Sequence, residues 1–157
     1  MNMTLLKYTL FTRAFGWLKI PLVGFASPTV ERFDDTHCVI SIPLGYRTRN
    51  HVGSMYFGAL AIGAELSIAA AAVFAIKESG KKIDFIFKDF KCEFLKRGDG
   101  DVHFFSHEVA EVKALIQKAS ESKERLEQKF TGYATVPGKS NEPIIKYELT
   151  MSVKNRS

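Results

Sequence analysis

Glu65 is the one carboxylate in the run NHVGSMYFGALAIGAELSIAAAAVFAI, from Asn50 to Ile76. A carboxylate enclosed by apolar side chains loses hydration, so its ionised form must find donors or its pKa must rise. Such a group suits the activation of water, or direct attack, at an acyl carbon. If the stretch is helical, Phe57 and Gly58 lie eight and seven residues before Glu65, about two turns back at 3.6 residues per turn. Their backbone N–H groups would be unpaired donors at the helix start, suited to a developing oxyanion. One helix would then supply both the acid–base group and the oxyanion donors. The alternative without chemistry is that Glu65 pairs with a basic group at a dimer interface.

Other polar residues carry weaker signals. His51 lies next to Asn50 in a loop, where a histidine is ordinarily solvated. His103 and His107 share one face of a strand with no carboxylate at metal spacing, which suits surface or interface groups better than a ligand pair. Cys38 and Cys92 lie far apart with no CxxC, so reduced thiols are expected rather than a disulfide or zinc site. The formal charge is +5, but no basic run is long enough to read as a nucleic-acid arm. The 13 Phe residues fall mostly at alternating positions, where core packing accounts for them. Neither a metal, a cofactor nor a nucleic acid is expected.

These residues must be held by the elements around them. At 157 residues, with 46% hydrophobic and 25% charged, the chain fits a single domain over 1–157. In residues 1–20, Met3, Leu6, Leu10, Ala14, Trp17 and Leu18 recur at helical steps and predict an amphipathic helix that Pro21 stops. Lys7, Arg13 and Lys19 interrupt any signal-peptide core. The predicted role of that helix is to cover an edge of its own domain, in preference to lying on a membrane. HCVISIPL, 37–44, alternates as a strand, and 56–77 follows as a long helix ended by Ser79-Gly80. Strands are predicted over 83–96, 101–109, 125–136 and 144–154, with Gly98-Asp99-Gly100 turning the first into the second. A short helix over 111–124 carries Val112, Leu115, Ile116 and Ala119 on one face.

This order predicts an α+β fold in which an antiparallel sheet wraps one apolar helix. Wrapping explains a helix apolar nearly all round without a bilayer. A central carboxylate would also cost about 2.5–3.5 kcal/mol in a membrane.

At Asn50, Gly53, Gly58 and Glu65 the sequence resembles the hot-dog acyl-CoA thioesterases of the phenylacetate-pathway branch. Their loop and helix read N-x-x-G-x-x-H-G-G, followed after six residues by Asp or Glu. Tyr56 stands at the His and Phe57 at the first Gly. The inserted helix is similar to the uncharacterised group related to the YiiD C-terminal domain. The resemblance implies a hot-dog fold and hydrolysis of an acyl-CoA or acyl-carrier-protein thioester. It also implies a site built from both subunits of a homodimer, itself able to form a dimer of dimers, in the cytoplasm. Glu65 would be general base or nucleophile, Asn50 would position water or the carboxylate, and the Phe57 N–H would face the thioester oxygen. Asp84 falls near a position that often bears a Ser or Thr helper. His51 could titrate near the thioester, and Lys96 and Arg97 could meet coenzyme A phosphates.

Phe57 keeps its N–H but narrows an approach that glycine leaves open. Tyr56 can donate a hydrogen bond yet does not exchange protons near neutral pH. These departures favour, as a competitor, a protein that binds fatty-acyl groups without turnover. A hydroxyacyl-thioester dehydratase ranks last, since no His stands at the helix start.

Overall fold

The structure, a computed structural model, describes residues 3–157. Its elements are α1 (Met3–Lys19), α2 (Pro21–Ala26), β1 (Thr29–Phe33), β2 (Cys38–Ile42), α3 (Phe57–Ser79), β3 (Ile83–Phe94), β4 (Val102–Ser106), α4 (Val109–Glu121), β5 (Arg125–Val136) and β6 (Ser140–Asn155). The six strands form one antiparallel sheet in the order β1-β2-β4-β5-β6-β3. Helix α3 packs on one face of it, which is the hot-dog arrangement expected from the sequence.

Ala and Leu favour helix through α3 because they lose little side-chain freedom there. Gly80, at φ 63°, ends it in the left-handed conformation that glycine adopts without strain. Ala64, Ile68, Ala71 and Ala72 are fully buried against Ile40, Ile42, Phe104, Ile145 and Met151 of the strands. Gly63 sets how closely helix and sheet approach: a Cβ there would lie 2.2 Å from the Phe104 ring. A buried polar link between α3 and the sheet joins Ser67 Oγ to Tyr147 Oη at 2.8 Å. α3 is long and apolar enough to cross a membrane, and the sheet encloses its inner face instead.

Five features differ from the sequence reading. Strand β1 was not anticipated: TVERF places two charges in five residues, and a register shift between Val30 and Arg32 breaks its alternation. Pro21 ends α1 but also opens α2, because a proline's missing N–H costs nothing at a helix's first position. The turn at 98–100 makes no hairpin, since β3 pairs with β6 while β4 lies between β2 and β5. Phenylalanine burial also fails along β3: beyond a register shift between Phe87 and Phe90, both Phe90 and Phe94 are exposed.

The outward stripe of α1 is the largest difference. The helix does lie over β1, an edge strand, and Thr9 Oγ1 accepts the Val30 N–H at 2.9 Å. The face that does so is Thr9, Thr12 and Gly16, all buried, with Leu5 and Tyr8 packed on the core. Small residues win the inner position because α2 crosses so near, a Cβ on Gly16 falling 2.6 Å from the Gly24 nitrogen. The predicted stripe, Met3, Leu6, Leu10, Ala14, Trp17 and Leu18, is exposed.

Candidate functional site

The loop before α3 is held by one side chain. Asn50 Oδ1 accepts the N–H groups of Val52 and Ser54, at 3.0 and 3.1 Å, and its Nδ2 donates to Ser54 Oγ at 3.1 Å. Gly53, at φ 81°, makes the turn that lets the chain fold back on Asn50. The Met55 N–H donates to the Gly98 carbonyl at 2.6 Å and the Tyr56 N–H to the Thr48 carbonyl at 2.7 Å. These bonds bring the end of β3, with Lys96 and Arg97, beside the helix start.

Tyr56 caps α3 through its backbone only: the Leu60 N–H reaches the Tyr56 carbonyl at 3.0 Å, and no side chain caps the helix. The N–H groups of Phe57, Gly58 and Ala59 therefore have no partner among the described residues. Two aromatic side chains flank the helix start. Phe57 packs on Phe94 at 5.8 Å between centroids, and a Cβ on Gly58 would meet the Tyr56 ring at 2.6 Å. Phe57 is 56% exposed.

Glu65 lies further along, half-buried in an apolar cavity between α3, the α1–α2 hairpin and β3. Phe11, Phe15, Val23, Leu66, Phe74 and Phe85 line it with Thr12. No hydrogen-bond donor or cation among the described residues pairs with the carboxylate. Loss of hydration therefore pushes its pKa above the ordinary carboxylate range. This cavity escaped sequence reading because its far wall is α1. The spacing of Phe11 and Phe15 is the signal that marks it, a second apolar row beside the more obvious one.

The sequence-derived candidates separate into two groups. Asn50, Tyr56, Phe57 and Gly58 stand together at the helix start. Glu65 stands about 12 Å away along the axis, at 1.5 Å per residue, so one chain does not bring the oxyanion donors to the carboxylate.

Lys96 is ion-paired with Glu142, and Arg97 and His51 are exposed. Asp84 is exposed and bound to Arg156 at 3.1 Å, on the strand face opposite Phe85. The structure does not bring it into the Glu65 cavity. His103 and His107 lie outside the cavity, and His107 meets His37 edge-on at 4.6 Å. Cys38 is free and buried, its thiol pushed up to about 12 by burial, and Cys92 is free and half-buried. Among the described residues no three His, Cys, Asp or Glu side chains are grouped to hold a metal ion.

A family model described as a domain of unknown function, DUF4442, matches residues 8–153. No curated protein matches the sequence. Among solved structures, the chain is similar to a Pseudomonas aeruginosa protein of unknown function described as a probable thioesterase. The two share 22% identity over 94% of this chain and 96% of that one, with a TM-score of 0.73. It is also similar to a Haemophilus influenzae thioesterase, at 17% identity over 85% and 82% of the two chains and a TM-score of 0.63. A Chlorobaculum tepidum protein of unknown function reaches a TM-score of 0.78 at 11% identity, over 93% of each chain. At these identities the likeness establishes a shared fold.

Proposed function

We propose that this chain, which belongs to the DUF4442 family, hydrolyses an acyl thioester carried by coenzyme A or an acyl carrier protein. The observation that supports this most directly is the Glu65 carboxylate, half-buried in an apolar cavity with no cation or donor against it. A salt-bridge role would require a basic partner from another copy, since no basic side chain among the described residues pairs with Glu65. Two solved structures of the same fold are themselves described as thioesterases. Within the hot-dog thioesterases we place the chain in the phenylacetate-pathway branch, near the YiiD-related group.

In this reading Glu65 takes a proton from water as the water oxygen bonds to the acyl carbon, or its carboxylate attacks that carbon directly to form a mixed anhydride, expelling the thiolate, and water then cleaves the anhydride to release the acid and restore the carboxylate. Helix-start N–H groups receive the negative charge on the thioester oxygen, and the thiol leaves with a proton. Because Phe57 and Gly58 are too far from Glu65 on their own chain, the donors come from a second copy. The functional unit is then a homodimer, able to pair as a dimer of dimers. The open edge of β3 and its exposed Ile86, Phe90 and Phe94 suit strand pairing between copies. In this reading Lys96 and Arg97, beside the helix start, would meet coenzyme A phosphates. The unit needs no cofactor or nucleic acid and works in the cytoplasm.

A second reading, an acyl-binding protein without turnover, is favoured by one observation. The Phe57 and Tyr56 rings lie across the helix start, where the related motif has Gly and His. Hydrolysis assays across acyl-CoA chain lengths, run on wild type and Glu65→Gln, decide between them. Turnover that Glu65→Gln abolishes supports the hydrolase. Binding without turnover across the panel supports the carrier.

A further inference from the structure

The face that α1 and α2 turn away from the domain is apolar and basic, and the two helices themselves carry no carboxylate. Met3, Leu10, Trp17 and Leu18 on α1 and Leu22 and Phe25 on α2 are 71%, 57%, 54%, 81%, 70% and 45% exposed. Residues 3–30 contain no Asp or Glu at all, the first carboxylate being Glu31. Lys7 and Lys19 are exposed among these apolar residues. Arg47 adds a third cation, its guanidinium 5.2 Å from the centre of the Phe25 ring. Arg13, by contrast, is turned inward to the Pro28 carbonyl and Thr29 Oγ1, at 2.8 and 2.9 Å.

We propose that the α1–α2 hairpin docks on the surface of an anionic lipid bilayer, with Trp17, Leu18 and Leu22 entering the headgroup boundary and Lys7, Lys19 and Arg47 meeting lipid phosphates. Amphipathic helices that lie in a membrane interface combine these features: large apolar side chains, an interfacial tryptophan and flanking cations. Charge selects the bilayer over a second copy of the chain. A two-fold interface would press this patch against itself, bringing together two basic surfaces whose helices carry no carboxylate and whose nearest acids, Asp34, Asp35 and Glu78, border only Lys7 at the rim. The hairpin is held rigidly, by Gly16 against Gly24 and by Trp17 lying across Gly24, so the apolar side chains are presented without unfolding. Docking is independent of the hydrolase reading, because no part of it uses Glu65 or the helix start.

Vesicles test it on the full chain. Phosphatidylcholine vesicles and vesicles of phosphatidylcholine mixed with phosphatidylglycerol are compared by co-sedimentation and by the fluorescence of Trp17, the only tryptophan. The protein should sediment with the mixed vesicles, its emission should shift to the blue, and added salt should weaken both effects. Leu10→Glu/Leu18→Glu should abolish binding. Lys7→Glu/Lys19→Glu should weaken partitioning by tenfold or more, at about fivefold for each lysine charge. All four side chains are exposed, so both variants retain the fold. Equal binding to neutral and anionic vesicles, or no binding and no shift with either, would overturn the proposal. So would a Leu10→Glu/Leu18→Glu protein that loses sedimentation mass while wild type ignores vesicles, since the face would then join two copies.

Discussion

Phe57 and Glu65 share one unbroken helix, eight residues apart, and that separation sets the unpaired N–H of the first about 12 Å along the axis from the backbone of the second. No thioester carbon can touch both on one chain. If hydrolysis uses both, two inactive variants should restore each other. Phe57→Pro deletes the N–H at a helix position where proline is well tolerated, and Glu65→Gln deletes the base. After mixing and subunit exchange, activity should return to about a quarter of wild type, because half the dimers are mixed and each has one intact site. No recovery would place both groups in the same chain's site.

Glu65→Gln should lower kcat by roughly 10²–10⁴ while leaving KM little changed, the usual effect of losing a positioned base. Thermal unfolding of the same sample should show equal or higher stability, since a poorly solvated charge is replaced by an amide. Retained turnover with a lower melting temperature would mean that Glu65 is an ion-pair partner instead.

The pH dependence follows from the same carboxyl. Its folded pKa is raised, so the folded state binds the proton more tightly than the unfolded chain. Its contribution to stability is therefore fully present below the unfolded pKa and is lost as pH rises through the folded one. Glu65→Gln should be more stable than wild type at neutral pH, and the difference should vanish below the ordinary carboxylate range. Hydrolysis should fall as pH drops through the folded value, because the base is then protonated. Melting temperatures and kcat measured across that range check both signs.

Asn50 should act through its loop. Asn50→Ala removes the acceptor for the Val52 and Ser54 N–H groups and should cost about 1–3 kcal/mol, the penalty of leaving partly buried donors unmet. Asn50→Asp keeps the acceptor oxygen and should recover most of that loss in a urea titration. A variant that loses activity with unchanged stability would show that the amide touches substrate.

Gly63→Ala tests how closely α3 meets the sheet. Alanine in mid-helix ordinarily adds up to about 1 kcal/mol over glycine. Here the added methyl would run into Phe104, and overpacking of this kind costs about 1–3 kcal/mol. Net destabilisation in denaturant unfolding is expected, and a gain would mean that the Phe104 ring yields freely.

Periodicity carried much of this protein in the sequence itself. Alternation marked β2, β3 and β6, and the run of Ala and Leu around Glu65 marked α3 and its enclosure, because side-chain spacing repeats with the backbone geometry that creates it. The types and spacing of Asn50, Gly53, Gly58 and Glu65 were equally legible. Tertiary structure alone decided which way the faces turned. The stripe from Met3 to Leu18 was visible, yet Thr9, Thr12 and Gly16 took the inner position, since only small side chains fit where α1, α2 and β1 approach so closely. Strand β1 was hidden because its bulge and its charges erase alternation, and its place was secured by hydrogen bonds to β2 and α1, distant in sequence. Glu65 could be found by its charge among apolar neighbours. That Phe11, Phe15 and Val23 enclose it depends on where another helix comes to rest, and no local spacing encodes that.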